Sequence, residues 1–230
     1  MQTIQSDSGL GTMPFSQQIR EATDAAHQAA ERSEFVSELV DGRLPLGEYV
    51  RLLTQLRAIY GALEHAAAAN DDPIAARFLH PELARVPSID ADLNTLAELT
   101  GEESRAARGP HAPAVLNSTE EYCDRLRNVC VEWPGGLVAH HYVRYLGDLS
   151  GGQFLGRVIA RVYDLPDGAG TKMYRFAEID SPKRFKDDYR DQLDAVPWDA
   201  TERALVVDEA NRAFAFNTAI FSELTRTRLS

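Results

Sequence analysis

An all-α domain is what the sequence predicts, and three observations predict it. Apolar residues recur at three- and four-residue spacings through most of the chain, the period of a helix face. No run alternates apolar and polar residues convincingly enough to be a strand. The 230 residues, 44% hydrophobic and 26% charged, suit one domain with a substantial core rather than two. The expected boundaries are a disordered, polar tail over residues 1–13 and a helical domain over residues 14–228.

The elements follow in order. Phe15, Ile19, Ala22, Ala26, Ala29 and Ala30 mark one face of a helix from Phe15 to Glu31, with Ser16 as its cap. A short helix, Glu34 to Val40, closes at the turn Asp41-Gly42. Leu44-Pro45-Leu46 leads into a longer helix through Ala69, striped by Tyr49, Leu52, Leu53, Leu56, Tyr60 and Leu63. Pro73 to Thr100 holds one or two helices punctuated by Pro81 and Pro87, and Gly101 to Pro113 reads as a surface loop. Ser118-Thr119-Glu120-Glu121 starts a helix running to Trp133, where Pro134-Gly135-Gly136 ends it and opens the next. That next helix is a long apolar run from Leu137-Val138-Ala139 to Val158-Ile159-Ala160. Leu165-Pro166-Asp167-Gly168 is a turn and Met173 to Phe176 a short element. Lys183 to Leu193 and Asp199 to Arg228 are the last two helices.

Composition excludes several classes. The net charge is −11 and no basic run relieves it, which argues against a nucleic-acid surface. No apolar run approaches the roughly 20 residues that span a bilayer, so no membrane span is expected. Met1 to Met13 lacks the basic start and hydrophobic stretch of a secretory signal. Cys123 and Cys130, the two cysteines, would lie about 10 Å apart along one helix, too far for a disulfide. Two unbridged thiols fit a reducing cytoplasm. A monomer is the expectation, although nothing in the sequence fixes the oligomeric state.

Four places carry candidate chemistry. Gly147, Gly151 and Gly152 fall inside the long apolar helix, with Asp148 among them. A glycine in a helix interior costs about 0.5–1 kcal/mol relative to alanine, so the cluster needs a reason. It is either a kinked core helix packed tightly on a neighbour or a face stripped of side chains so that something flat can approach the backbone. His27 is the second place. A lone helical histidine is more often an ordinary core or surface residue than a ligand. Here Ala25, Ala26, Ala29 and Ala30 clear space around it, and Glu31 shares its face and could accept an imidazole N–H. Arg20 stands about 10 Å before His27 on that face, and is otherwise a solvated charge. Third, Lys186 and Arg190 form an i, i+4 pair about 6 Å apart, either solvated decoration or a grip for two carboxylates. Fourth, Phe214, Asn217 and Phe221 share a face of the last helix. Core packing explains the phenylalanines, but a buried Asn217 needs a hydrogen-bond partner. The doublet His140-His141 points its rings about 100° apart, poorly placed for one ion, and stays outside the site.

The string Tyr142-Val143-Arg144-Tyr145-Leu146-Gly147-Asp148-Leu149-Ser150-Gly151-Gly152-Gln153 closely resembles the distal-helix signature of the heme oxygenases. Glu21-Ala22-Thr23, followed by His27 and Glu31, resembles the family's proximal helix. Phe185 to Arg190 and the Phe214, Asn217, Phe221 set resemble two further segments in the family's order, so the likeness spans roughly residues 15 to 225. The distal string is highly specific; the other three persuade jointly. The resemblance implies a single-domain, multi-helix heme oxygenase-like fold holding heme b between a proximal helix and a kinked, glycine-rich distal one. It implies His27 as the axial iron ligand, with Arg20, Lys186 and Arg190 meeting the propionates, and Glu31, Tyr142, Phe214 and Phe221 completing the pocket. Gly147, Gly151 and Gly152 would admit the ring to the distal backbone. Asp148, with Tyr60, Arg144 and Asn217, would order the waters that supply protons.

The implied activity uses O2 and electrons from an external donor, such as a ferredoxin with its reductase or a flavin reductase. Its products would be biliverdin, expected as the alpha isomer, carbon monoxide and ferrous iron. Arg20 stands where the family commonly has lysine, and Val143 where many members have a hydroxyl residue. Both put heme seating in question. Two rival readings are a non-catalytic heme carrier or sensor, against which the intact glycine string argues, and a thiaminase-like hydrolase. The hydrolase would need a pocket cysteine with a carboxylate partner, and neither Cys123 nor Cys130 has that setting.

Overall fold

The computed structural model describes residues 13–99, 114–166 and 168–228. Residues 1–12 of the predicted tail (1–13), the loop over 101–113, and Asp167 of the predicted turn lie outside the described residues. The described residues form helices and turns around one hydrophobic cluster, with no strand among them.

Helix α1 (Phe15–Glu31) and α2 (Glu34–Val40) have the predicted bounds. Ser16, however, is not the cap of α1. The N-cap position is Pro14, which offers no side-chain acceptor, and the carboxylate of Asp194 takes its place. It accepts from the Ser16 backbone N–H at 2.7 Å and the Ser16 hydroxyl at 2.9 Å. An orphan donor of the first turn is thus satisfied from a distant helix. The turn after α2 uses Gly42 at φ 71°, a left-handed conformation that favours glycine.

Helix α3 (Leu46–Ala69) buries Tyr49, Leu52, Leu53, Tyr60 and Leu63 of its predicted stripe. The proline-punctuated stretch after it resolves into two 3₁₀ turns, Ala75–Arg77 and Pro81–Leu83, and one helix, α4 (Val86–Leu99). Helix α5 (Asn117–Val129) stops short of the predicted Trp133. Trp133 instead sits at the N-cap position of α6 (Pro134–His141), its indole donating to Glu202 at 2.6 Å. Helix α8 (Pro182–Asp194) is capped by the Ser181 hydroxyl and α9 (Ala200–Arg226) by the Asp199 carboxylate.

Between α6 and α7 (Gln153–Val162) the chain stays helical but widens twice into π turns, over Tyr142–Leu146 and Asp148–Gly152. The predicted bend is therefore an unbroken helix with local π winding, a distortion that often marks functional helices. Its first part is anchored from below. His140 bonds Glu209 through Nε2 at 2.9 Å and Tyr122 through Nδ1 at 3.2 Å, while Glu209 accepts from Arg125 at 2.8 Å. His141 meets the Tyr189 hydroxyl at 3.1 Å. Helices α8 and α9 each pack on both α1 and the π-wound segment, so they form two walls between those elements.

These anchors make stability pH-dependent. Burial and the neighbouring His80 lower the His141 pKa to about 3. An unfolded histidine titrates near 6.5, so below that pH the unfolded chain binds a proton the folded one refuses, and stability falls. Burial raises the Glu209 pKa, but Arg125 and His140 outweigh it and bring the value to about 2. Its contribution is lost in the same direction at lower pH. Urea unfolding should show stability roughly 3 kcal/mol lower at pH 4.5 than at pH 7. A midpoint constant over that range would contradict the buried neutral histidine.

Candidate active site

The first side of the site is α1. It buries Phe15, Ile19, Thr23 and Ala30, and His27 lies at the edge of this face, half exposed. Thr23 satisfies its buried hydroxyl on the Ile19 carbonyl at 2.7 Å. The His27 ring stands edge-on to Phe214 of α9, centroids 5.6 Å apart at 74°. Its Nε2 is 3.3 Å from Glu31 Oε1. A carboxylate against one imidazole nitrogen favours the proton there and leaves the lone pair on the other, the arrangement a metal-bound histidine needs.

The second side is the π-wound segment. Gly147 has φ −60° and ψ −51°, ordinary helical angles, so the backbone does not require glycine there. A Cβ at Gly147 or Gly151 would meet no atom within 4 Å. Gly152 and Gly156 differ: a Cβ would stand 3.3 Å and 3.0 Å respectively from Tyr174. The glycines thus serve two purposes, two keeping a face bare and two admitting the Tyr174 ring behind it. Val143 is buried in the core.

Asp148 accepts a hydrogen bond through Oδ2 from the fully buried Tyr60 hydroxyl. Burial raises the Asp148 pKa, opposed by Arg144, the Tyr60 bond and Arg85. Arg144 lies 5.8 Å from the Tyr60 ring centroid and donates through Nη2 to Asn217 Oδ1. That bond supplies the partner a buried Asn217 requires. Arg144 Nε is buried without a partner. Tyr60, the i, i+4 pair Arg144 and Asp148, and Asn217, from three separate stretches of the chain, therefore form one polar group.

Basic residues gather at the rim. The Tyr142 pKa is raised by burial and lowered by the nearby charges of Arg190 and Arg20, which brings those three residues together. Lys186 donates to the Ser150 hydroxyl at 3.1 Å and Arg190 to Asp187 at 2.8 Å. Phe221 stacks on Phe35 of α2, centroids 6.3 Å apart. Among the described residues no group of three or more His, Cys, Asp or Glu could hold a metal ion by itself. His140 and His141 are held by Glu209, Tyr122 and Tyr189 as described above.

Sequence reasoning missed Arg85 and Tyr145. Arg85 is buried with its guanidinium bonded to the carbonyls of Leu83 and Arg175 at 2.9 Å and Glu82 at 3.0 Å, stacked 3.9 Å from the Phe176 centroid. Tyr145 packs on Tyr60, centroids 5.6 Å apart. No periodicity separates a buried arginine held by carbonyls from a solvated one.

The residues present fit a heme: one histidine oriented by a carboxylate, a side-chain-free helix face, a basic rim for carboxylates, and an unsatisfied buried donor beside an acid. Comparison with known proteins agrees. The heme oxygenase family model matches residues 13–223. The chain is 39% identical over 210 residues to heme oxygenase 1 of Synechocystis, covering 90% of this chain and 83% of that protein. It is 37% identical to the heme oxygenase of Takifugu rubripes, covering 92% and 74% respectively. Among solved structures, Synechocystis heme oxygenase-1 in complex with heme superposes with a TM-score of 0.81 at 37% identity, covering 92% of each chain. The Leptospira interrogans heme oxygenase gives 0.81 at 35% identity, covering 92% of this chain and all (100%) of that one.

The all-helical fold and these likenesses define a heme-degrading oxidoreductase. The chain belongs to the heme oxygenase family. These relatives are enzymes, so the carrier or sensor reading is not favoured.

The two kinds of glycine can be separated by measurement. Gly151→Ala should raise the stability of the hemin-free protein by about 0.5–1 kcal/mol and lower its hemin affinity tenfold or more. Gly156→Ala should destabilise it, since the new Cβ meets Tyr174. Thermal unfolding with hemin titration decides this; an unchanged affinity in Gly151→Ala would mean that the bare face is not where the ring lies.

Proposed function

We propose that this chain holds heme between His27 and the bare face at Gly147 and Gly151, and opens the macrocycle to biliverdin, as the alpha isomer, with release of carbon monoxide and ferrous iron. The observation that carries this is the conjunction of a glycine face with the Asp148 group at its edge. Bound heme supplies the iron at which O2 is activated and the meso carbon that is oxidised. The protein supplies orientation, water exclusion and protons.

His27, with Glu31 3.3 Å from its Nε2, would hold the heme iron. Phe214 packs against the imidazole and limits its rotation. On the opposite side the side-chain-free face at Gly147 and Gly151 would let the ring lie against the helix backbone, which would shield part of its edge. Arg20, Lys186 and Arg190, with Tyr142 beside them, receive the propionates. Arg20 in place of the family's lysine keeps the charge but presents a planar fork, suited to bidentate carboxylate binding. Phe221, stacked on Phe35, closes the far end of the pocket.

Asp148 is not an iron ligand. Tyr60 engages its Oδ2, so Oδ1 can hold a water facing the ring. Burial raises the Asp148 pKa against the opposing positive charges of Arg144 and Arg85, which moves the carboxyl toward the form that holds a proton. Arg144, tied to Asn217, has a buried Nε with no partner and would donate it to such a water. The group thus passes protons inward without itself touching the iron.

No helix among the described residues is long and apolar enough to cross a membrane. The two buried free thiols, Cys123 and Cys130, support action in the reducing cytoplasm. A monomer needs no partner residue to complete this site. Electrons would come from a ferredoxin with its reductase or a flavin reductase. An acidic donor is matched by Arg20, Lys183, Arg184, Lys186 and Arg190 at the heme edge of a chain whose net charge is −11.

The test is an absorption spectrum of the protein with one equivalent of hemin, followed in air under a ferredoxin reducing system. A histidine-type Soret band should fade as a broad red biliverdin band rises; a Soret band that persists under reducing power would refute the oxygenase. Asp148→Ala should retain the Soret band and lose at least nine-tenths of the ring opening, roughly a tenfold loss or more for a removed proton-transfer group. Normal turnover by that variant would exclude the proposed proton path. His27→Ala should lose the histidine-type spectrum and regain it with added imidazole.

A further inference from the structure

Lys186 is held differently from Lys183 and Arg190 of the same helix. The adjacent acid, Asp187, is fully engaged: Oδ2 takes Lys183 and Oδ1 takes Arg190, each at 2.8 Å. Lys186 has no carboxylate partner among the described residues. Its ammonium donates to the Ser150 hydroxyl at 3.1 Å, while burial and the Arg190 charge lower its pKa. A lysine head sits on a flexible four-carbon stem and does not fix its own position. One hydrogen bond to a hydroxyl fixes it, and two N–H groups remain for an anion.

The location of that hydroxyl gives the bond its consequence. Ser150 belongs to the same π-wound turn as Asp148 and Gly151, the turn whose bare face and acid make up the distal side of the site. Lys186 belongs to α8, the wall that also packs on α1. The bond therefore ties the carboxylate grip at the rim to the segment that decides which part of the ring is exposed.

We propose that Ser150 is a positioning residue for regiospecificity: by fixing the Lys186 ammonium against the distal turn, it sets the in-plane rotation of the macrocycle about the iron–His27 axis. This rests on the reading of Lys186 as a propionate partner. Such a rotation changes which meso carbon is presented, so a cation free to move relative to the distal turn permits more than one seating. Ser150 acts through Lys186 and touches no reacting atom.

The experiment compares wild type with Ser150→Ala, Ser150→Thr, Lys186→Met and the double variant Ser150→Ala/Lys186→Met. Biliverdin isomers are separated chromatographically, and the heme-methyl proton shifts of the ferric cyanide complex report in-plane orientation without turnover. Wild type and Ser150→Thr should each give one dominant isomer and one methyl pattern. Ser150→Ala should give a second isomer at a tenth of the product or more, a matching second methyl set, and hemin affinity reduced less than tenfold. Lys186→Met should give the same second isomer, and the double variant no more of it. A single unchanged isomer and methyl pattern in Ser150→Ala overturns the proposal, as does an additive effect in the double variant. Wild type that binds hemin but forms no biliverdin would overturn the oxygenase reading instead, and the methyl pattern would still decide the role of Ser150.

Discussion

A helix that gives up side chains on one face has to be held firmly from its other faces, and much of this structure can be traced to that constraint. The π-wound segment between α6 and α7 presents Gly147 and Gly151 with nothing near their missing Cβ atoms, at a cost of about 0.5–1 kcal/mol for each glycine. The compensation lies behind and below it. Tyr174 packs into the space left at Gly152 and Gly156, Tyr60 bonds Asp148, and His140 and His141 tie the preceding turns to α5, α8 and α9. Side chains that touch nothing in the site thus keep a costly, unsupported face in place.

The same segment brings three kinds of chemistry within reach of one another. The bare backbone can lie against a flat ring, Asp148 and Arg144 hold protons and donors at its edge, and Ser150 reaches the basic rim through Lys186. Helices α8 and α9 carry the complementary groups because each packs on both α1 and this segment. Phe214 meets His27 on one side while Asn217, one turn later, meets Arg144 on the other. One helix therefore sets His27 and the polar group around Asp148 in register.

Charge is distributed unevenly for the same reason. An acidic chain gathers Arg20, Lys186 and Arg190 near Tyr142 at one edge. Arg85 and Arg144 sit inside, where positive charge opposes the effect of burial on Asp148. Buried cations of this kind are affordable only because carbonyls, an amide oxygen and aromatic faces surround them.

By itself the sequence determined the helical class, most helix boundaries and the segments that carry the chemistry, because each depends on local spacing. The period of apolar residues marks a helix face, and three glycines within six residues mark a face without side chains. Family likeness added an order for those segments, and so Tyr60, Arg144, Asp148 and Asn217 were legible as candidates before their contacts were known. Tertiary structure alone decided who partners whom. Asp194 rather than Ser16 satisfies the start of α1, α5 ends before Trp133, Arg85 lies buried near Asp148, and Lys186 selects Ser150. Each of these joins residues distant in the chain. Their energies come from burial and hydrogen-bond geometry that exist only after α3, α8 and α9 have packed together, and no local pattern encodes them.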